Sequence, residues 1–341
     1  MSEYRGASQS GSPLAKGNPM LRHRLTLLAA CCAVSFAASV PAVADDYPTK
    51  AVKLVVGYTP GGPNDIMARA LAAELNLGQT VYIENRGGAS GNIAAEMVAR
   101  APADGYTLMM ETSSGAANAT LYRKLNYDLR KDFTHIAFVA AYPLVLVVHP
   151  SVPATNVKEL LALAKAKPGA LNYASGGSGG GAHLATELFK TMAGIDMMHI
   201  PYNGTSPGLL GVVGGQAQVM FAAVSAAMPH VQSGRLRALG VTGPTRTASE
   251  PDIPTIAEAG VPGYEVLGWL GLGAPAGLPP AITAKLNAAV ARAVRSPRMA
   301  EYMAKEGWQP MVMSSAEYTT FSNNEIEKWG KVVTDSGARV D

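Results

Sequence analysis

The sequence predicts a layered α/β protein built as two lobes joined by two chain crossovers. Three observations lead there. Short β-branched apolar runs alternate with segments whose apolar residues recur at helical spacing, the pattern of strands and helices in a parallel sheet. That alternation occurs once within 50–112 and again within 171–221. The chain then ends in helices alone, with no strand-rich repeat left to build a third sheet.

The first lobe opens with "YPTKAVKLVVGYTPGGPNDIMARALAAELNLGQTVYIENRGG". It reads as a strand over 52–57, a Gly-Gly turn, a helix over 64–75 and a second strand. "GNIAAEMVARAPADG" and "YTLMMET" repeat the logic as helix and strand. The extended apolar stretch "HIAFVAAYPLVLVVHP" then leads into "ATNVKELLALAKAKPG", a helix that Thr155 or Asn156 can cap and Gly169 can stop. A second α/β unit follows: strand 171–174, a glycine loop, helix 182–192, strand 197–201, a helix near 207–213 and strand 218–221. Helices are expected over 281–294, 297–306 and 318–334, the last behind the capping box Ser314-Ser315-Ala316-Glu317. These return to cover the first lobe, so the chain crosses near residues 145 and 270, a layout that suits a hinge. The expected division is 45–145 with 270–341 as one domain and 146–269 as the other.

Residues 1–44 read as a leader. Arg22 and Arg24 precede an apolar run over 25–40 that ends in Ala42-Val43-Ala44, a signal-peptidase signature. The expected location is therefore the periplasm, reached through a cleaved signal peptide. Met20 offers an alternative start, and Leu28-Ala29-Ala30-Cys31 a competing lipoprotein signal whose apolar run is short. Both cysteines, Cys31 and Cys32, lie in the leader, so no disulfide is expected beyond it. The leader holds Arg5, Lys16, Arg22 and Arg24 against Glu3, which leaves 24 basic residues (28 less four) and 24 acidic (25 less one). A balanced chain lacks the basic excess that nucleic acid or a membrane surface demands.

The glycine loop in "LNYASGGSGGGAHLATELFK" supports three readings. G-x-S-x-G makes Ser178 a candidate hydrolase nucleophile at a strand–loop–helix elbow, with Asp196 and then His199 or His230 as the only partners in suitable order. A secreted serine hydrolase is thus the alternative function. G-x-G-x-x-A suggests a dinucleotide site, but Asp196 precedes its strand and sits at the wrong end for a ribose. The third reading pairs this loop with "VVGYTPGGPND", since both run strand, glycine turn, helix start. A helix start leaves N–H groups unpaired and carries about half a positive charge. Two such turns on opposed lobes form a cradle for one carboxylate. No histidine or carboxylate cluster has metal spacing, and no cofactor is expected.

Beyond these local readings, the chain resembles the Bug, or tripartite tricarboxylate transporter, family of periplasmic substrate-binding receptors. The likeness rests on "IENRGGASGNIAAEMVARAPADGYTL", "HIPYNGTSPGLLGVVGGQAQVMF", "GRLRALGVTG", "PDIPTIAEAGVPGYE" and "WLGLGAPAGLPP" together with the two glycine turns. It covers essentially everything after the leader. The resemblance implies a two-lobe periplasmic-binding-protein fold of the Venus-flytrap type (type II) with two crossover strands. It implies no catalysis, a small organic carboxylate as ligand, and the membrane subunits of a secondary transporter as partner. A monomer is expected.

By the same resemblance, one carboxylate is pinched between the turn of Tyr58, Thr59, Pro60, Gly61, Gly62 and Asp65 and the loop of Ser175, Gly176, Gly177, Ser178, Gly179 and Gly180. Thr112 and Ser113, on a loop after a strand, match another ligand-facing segment, and His183 supports the loop from behind. Tyr202 and Asn203, in a turn at a strand exit, line the site, as does Ala222. The family often carries an acidic residue where Gly211 and Ala222 stand, and hydroxyl residues near Gly176 and Gly180. Their absence implies an aromatic acid or a longer diacid rather than an amino acid. Trp269 is expected at the hinge or the cleft wall, and Met109, Met110, Met197, Met198 and Met220 in the core.

Overall fold

The computed structural model describes residues 46–340; the expected leader and its cleavage site lie outside them. In chain order these residues form β1 (Val52–Val56), α1 (Pro63–Glu74), β2 (Val81–Asn85), α2 (Asn92–Ala99), β3 (Thr107–Thr112), α3 (Ser113–Leu121) and β4 (Phe133–Val148). Next come α4 (Val157–Ala166), β5 (Asn172–Ser175), α5 (Gly181–Ala193), β6 (Met198–Pro201), α6 (Thr205–Val213), β7 (Val219–Ala223) and α7 (Val224–Gln232). The chain closes with β8 (Arg237–Val241), α8 (Ile256–Ala259), β9 (Leu267–Pro275), α9 (Pro280–Ala293), α10 (Pro297–Glu306), β10 (Gln309–Pro310) and α11 (Ser315–Ser336).

The strands follow the order β2-β1-β3-β9-β4-β7-β5-β6, with β8 and β10 each paired to β4. Two parallel trios sit at the two ends, β2-β1-β3 and β7-β5-β6. Between them run the long strands β4 and β9, antiparallel to each other and to their outer neighbours. Residues 133–143 of β4 pair with β9, whereas 144–148 pair with β7 and β8. The near-continuous apolar sequence of β4 reflects this double duty, since almost every residue of it is buried on both faces.

The glycines of β9 record what packs on it. A Cβ at Gly268 would strike the Tyr142 ring, one at Gly271 the Tyr318 phenol, and one at Gly273 the Glu111 carboxylate. Tyr142 in turn lies tilted against Trp308, their ring centroids 4.2 Å apart. Glu111 is fully buried, bonded to His135 Nδ1 at 3.0 Å and accepting from the Tyr318 hydroxyl at 2.8 Å. Burial works against a charge on His135, but the attraction of Glu111 outweighs it and raises its pKa. Trp269 lies at the centre of this core rather than at a cleft wall. It is 1% exposed, donates to Glu325 Oε2 at 3.0 Å and is edge-on to Tyr318 and Phe321. Met109, Met110, Met197 and Met220 are buried, while Met198 on the outer strand β6 is exposed.

Most strands and helices expected from periodicity form within two or three residues of their predicted limits, but α2 stops at Ala99, short of the helix expected over 91–105. The main correction is α3: Thr112 and Ser113 were expected on a loop, but Ser113 opens a helix. Its sequence, SSGAANATL, has no stripe of large apolar residues. Instead it packs closely by being small, with Ala116 and Ala117 fully buried and Thr120 against Gly330 of α11, where a Cβ would lie 3.0 Å from the threonine hydroxyl. The terminal helices do cover the first trio's side of the sheet, and α11 also reaches α5 beside the glycine loop.

Gly271→Ala drives a methyl into Tyr318 and, through it, disturbs the Glu111–His135 pair. The expected cost of about 1–3 kcal/mol appears as a melting temperature lowered by roughly 2–4 °C per kcal/mol; an unshifted melt would show that Tyr318 is free to move.

Candidate functional site

Within each parallel trio the strands share one direction, so the connections that follow them leave from the same edge. Six helices start there: α1, α2 and α3 from one trio, α5, α6 and α7 from the other. Their N-cap residues are Gly62, Gly91, Thr112, Gly180, Gly204 and Ala223, and none carries a side-chain cap. Of the five helices elsewhere among the described residues, four are treated differently, α9 behind Pro279 being the uncapped exception. Asn156, Thr255, Ser296 and Ser314 cap α4, α8, α10 and α11, the second and fourth of these in full capping boxes. Since a capping side chain is worth about 1 kcal/mol, six bare starts at the strand ends leave a row of N–H donors without side-chain acceptors. These donors, with the helix dipoles behind them, attract an anion.

The two edges face each other. The Ser90 hydroxyl, between β2 and α2, donates to the Ser178 carbonyl at 2.6 Å, and a Cβ on Gly179 would lie 2.7 Å from Leu121 and 2.8 Å from Asn118 of α3. The glycine loop therefore lies directly against the turn before α2 and the C-terminal half of α3.

On the first side, Asp65 is a local clamp. It is 2% exposed. Its carboxylate accepts from Gly61 N–H at 2.8 Å, Arg69 Nε at 3.0 Å and Asn85 Nδ2 at 2.8 Å. Burial opposes its charge, but these three donors outweigh it and hold the pKa below the usual carboxylate range. Asn85 also bonds the Tyr58 carbonyl at 3.0 Å. Thr59, Pro60 and Gly61 are left exposed at the tip of the turn. The Tyr58 hydroxyl lies 3.4 Å from both the Ser90 carbonyl and Thr112 Oγ1, and burial raises its pKa so that it remains a neutral donor. Tyr58 and Thr112, singled out separately in the sequence, thus meet, with Ser113 next in the chain at the start of α3.

The opposite loop is held by histidines. Ser175 is fully buried; its hydroxyl accepts from Gly177 N–H at 3.1 Å and pairs with His199 Nε2 at 2.6 Å. His183 Nδ1 accepts from Gly179 N–H at 3.1 Å. The rings of His183 and His199 stack at 4.3 Å, and Tyr173 stacks on His199 at 4.7 Å. Burial, with Lys190 adding to it, pushes the His183 pKa down to about 4. Burial and the neighbouring His183 do the same to His199. Both rings are neutral at ordinary pH, which the bond from Gly179 requires, since a protonated Nδ1 accepts nothing. Gly179 itself needs glycine, having φ +83° and no space for a side chain. Gly176 abuts the start of α6 at Thr205, while Gly177, Ser178 and Gly180 are half-buried along the loop.

Other sequence candidates sit further back. The Tyr202 ring lies over Gly211 with its hydroxyl 3.4 Å from Gln216, so the side chain follows α6 instead of the loop. Asn203 is exposed in the turn before α6, and Ala222 is buried in β7 opposite Val145. Ser90, Asn118 and Asn85 are the residues that sequence reasoning passed over. The stretch "RGGASG" was a visible signal for Ser90, with glycines crowded around one serine. Among the described residues no group of three or more His, Cys, Asp or Glu side chains could hold a metal. Nor does any hydrogen bond among them join the Ser178 hydroxyl to a histidine; in the Ser175–His199 pair the serine is fully buried and the histidine half-buried.

Two facing sets of bare helix starts on a two-trio α/β sheet define a solute-binding receptor of the periplasmic-binding-protein fold. The comparisons agree. Residues 67–338 match the family described as tripartite tricarboxylate transporter family receptor. Protein BugT of Bordetella pertussis is 35% identical over 306 residues, covering 89% of this chain and 94% of the relative. Two solved structures are similar throughout. Rpa4515 of R. palustris with adipate is 40% identical with a TM-score of 0.79, over 86% of this chain and 99% of the other. MatC of Rhodopseudomonas palustris with bound malate is 34% identical with a TM-score of 0.77, over 84% and 100%. The chain belongs to the Bug/TctC family of tripartite tricarboxylate transporter receptors.

Because folding lowers both histidine pKa values, their contribution to stability is complete above about pH 6.5 and is lost as pH falls from there through about 4. His183→Phe keeps a stacking ring but leaves Gly179 N–H without its acceptor, at a cost of about 1–3 kcal/mol. Melts between pH 7 and 4 should show a lower plateau and a shallower acid decline than the unaltered protein; an identical pH profile would contradict the assignment.

Proposed function

We propose that residues 45–145 with 270–341, and residues 146–269, act as two domains that close on a small organic carboxylate and present it to the membrane subunits of a tripartite tricarboxylate-type transporter. The observation that carries this reading is the set of six uncapped helix starts on facing strand edges. Hydrogen bonds to a charged group contribute about 1.5–3 kcal/mol each, so four main-chain donors reach the roughly 8 kcal/mol of micromolar affinity without a basic side chain. The one basic residue in these connections, Arg86, is already paired with Glu84 at 2.6 Å. The protein acts as a monomer in the periplasm after loss of the leader.

The ligand is an aromatic acid or a longer diacid. Small residues at Gly176, Gly180, Gly211 and Ala222 leave the second side poor in polar groups. The one acidic side chain in the first turn, Asp65, has both oxygens engaged and so offers an ammonium group nothing. Adipate and malate, bound by the two relatives, are the natural starting probes. A thermal-shift panel should favour adipate and aromatic acids over aspartate and glutamate; stabilisation by the amino acids alone would exclude this ligand class.

The bare starts themselves are tested by Gly62→Asp. Gly62 has φ −82° and ψ 167°, a normal N-cap conformation, and a Cβ there meets only the Thr59 carbonyl at 3.7 Å. The new carboxylate accepts the N–H groups of α1 and repels an anion. Titration calorimetry should show carboxylate binding weakened by roughly 100-fold or more while the fold keeps or slightly gains stability. Retained binding would move the ligand away from this turn.

A further inference from the structure

We infer that Ser90 is a positioning residue that latches the two sides of the cleft together, setting affinity without touching the ligand. The inference rests on the two-domain reading above. Ser90 and its neighbour Ala89 have φ of +52° and +46°, conformations rarely adopted by residues other than glycine, asparagine and aspartate. The backbone is held there from behind: the Ser90 carbonyl accepts from Asn118 Nδ2 at 3.2 Å and faces the Tyr58 hydroxyl at 3.4 Å. Asn118, fully buried, is fixed in turn by Asn92 Oδ1 at 2.8 Å, which also accepts from Tyr127 at 2.7 Å. This framework aims the serine hydroxyl across the cleft at the Ser178 carbonyl, 2.6 Å away.

The chemistry separates a latch from a ligand contact. A carboxylate needs donors, and the single hydroxyl hydrogen of Ser90 is committed to a carbonyl. The contact joins the two edges directly, protein to protein, so it favours the closed arrangement in its own right. Apparent affinity scales with the fraction of protein already in the binding-competent form. Removing one such hydrogen bond should therefore weaken binding about three- to tenfold, through faster release and not slower capture.

The test compares Ser90→Ala, which removes only the hydroxyl, with Ser90→Gly, which also suits the left-handed backbone. Small-angle scattering of the ligand-free proteins should show a larger radius of gyration for both variants than for the unaltered chain. Stopped-flow binding of adipate or malate should show release three- to tenfold faster at an unchanged association rate. Matching scattering curves for Ser90→Ala and the unaltered protein would overturn the latch, and so would an effect confined to Ser90→Gly, which would belong to backbone strain. Because the scattering comparison uses no ligand, a chain that ignores every carboxylate would count against the ligand assignment alone.

Discussion

An anion held by main-chain amides needs those amides to be free, dry enough to matter and fixed in direction. The fold supplies the first condition by topology. Helices that begin at the ends of parallel strands deliver their first turns to one edge, and here both edges do so from opposite sides. Side-chain caps are present on four other helices and missing on these six. In the proposed site that contrast, to which only α9 is an exception, is what makes ordinary helix geometry available to an anion.

Direction is supplied by one buried side chain on each side. Asp65 holds the Gly61 amide in the first turn, and His183 holds the Gly179 amide in the second loop. Each takes one amide out of the row and in exchange sets the orientation of the neighbours. The two devices differ in charge. Asp65 is an anion whose field is offset by Arg69 and Asn85, whereas His183 is a neutral ring stacked on another neutral ring. The second side therefore holds its loop with a neutral ring, and the nearby Glu187 is paired with Lys190, while the first side uses a charge that is already satisfied.

Much of this was readable in the residues. The strand–turn–helix periodicity placed both glycine turns, and the capping box at Ser314 was correct to the residue. The two crossovers expected near 145 and 270 fall on β4 and β9. Three things were not readable. Helix α3 was hidden because close packing against α11 needs small residues, and a run of Ser, Gly, Ala and Asn has no periodic signal. Tyr202 was misplaced because the absence of a side chain at Gly211 matters only once the ring is seen to occupy that space. Ser90 and Asn118 were missed because their roles depend on contacts 88 and 28 residues away in sequence, distances at which no local pattern operates.

If the grip lies in the peptide backbone, as proposed, it has an evolutionary corollary. Point substitutions exchange side chains but cannot delete an amide hydrogen except by proline, so the preference for acids is insulated from most mutations. The walls around it are not. A lineage can thus sample new guests by altering a few lining positions while its hold on the carboxyl group persists, which lets one scaffold diversify widely in diet without ever reinventing recognition.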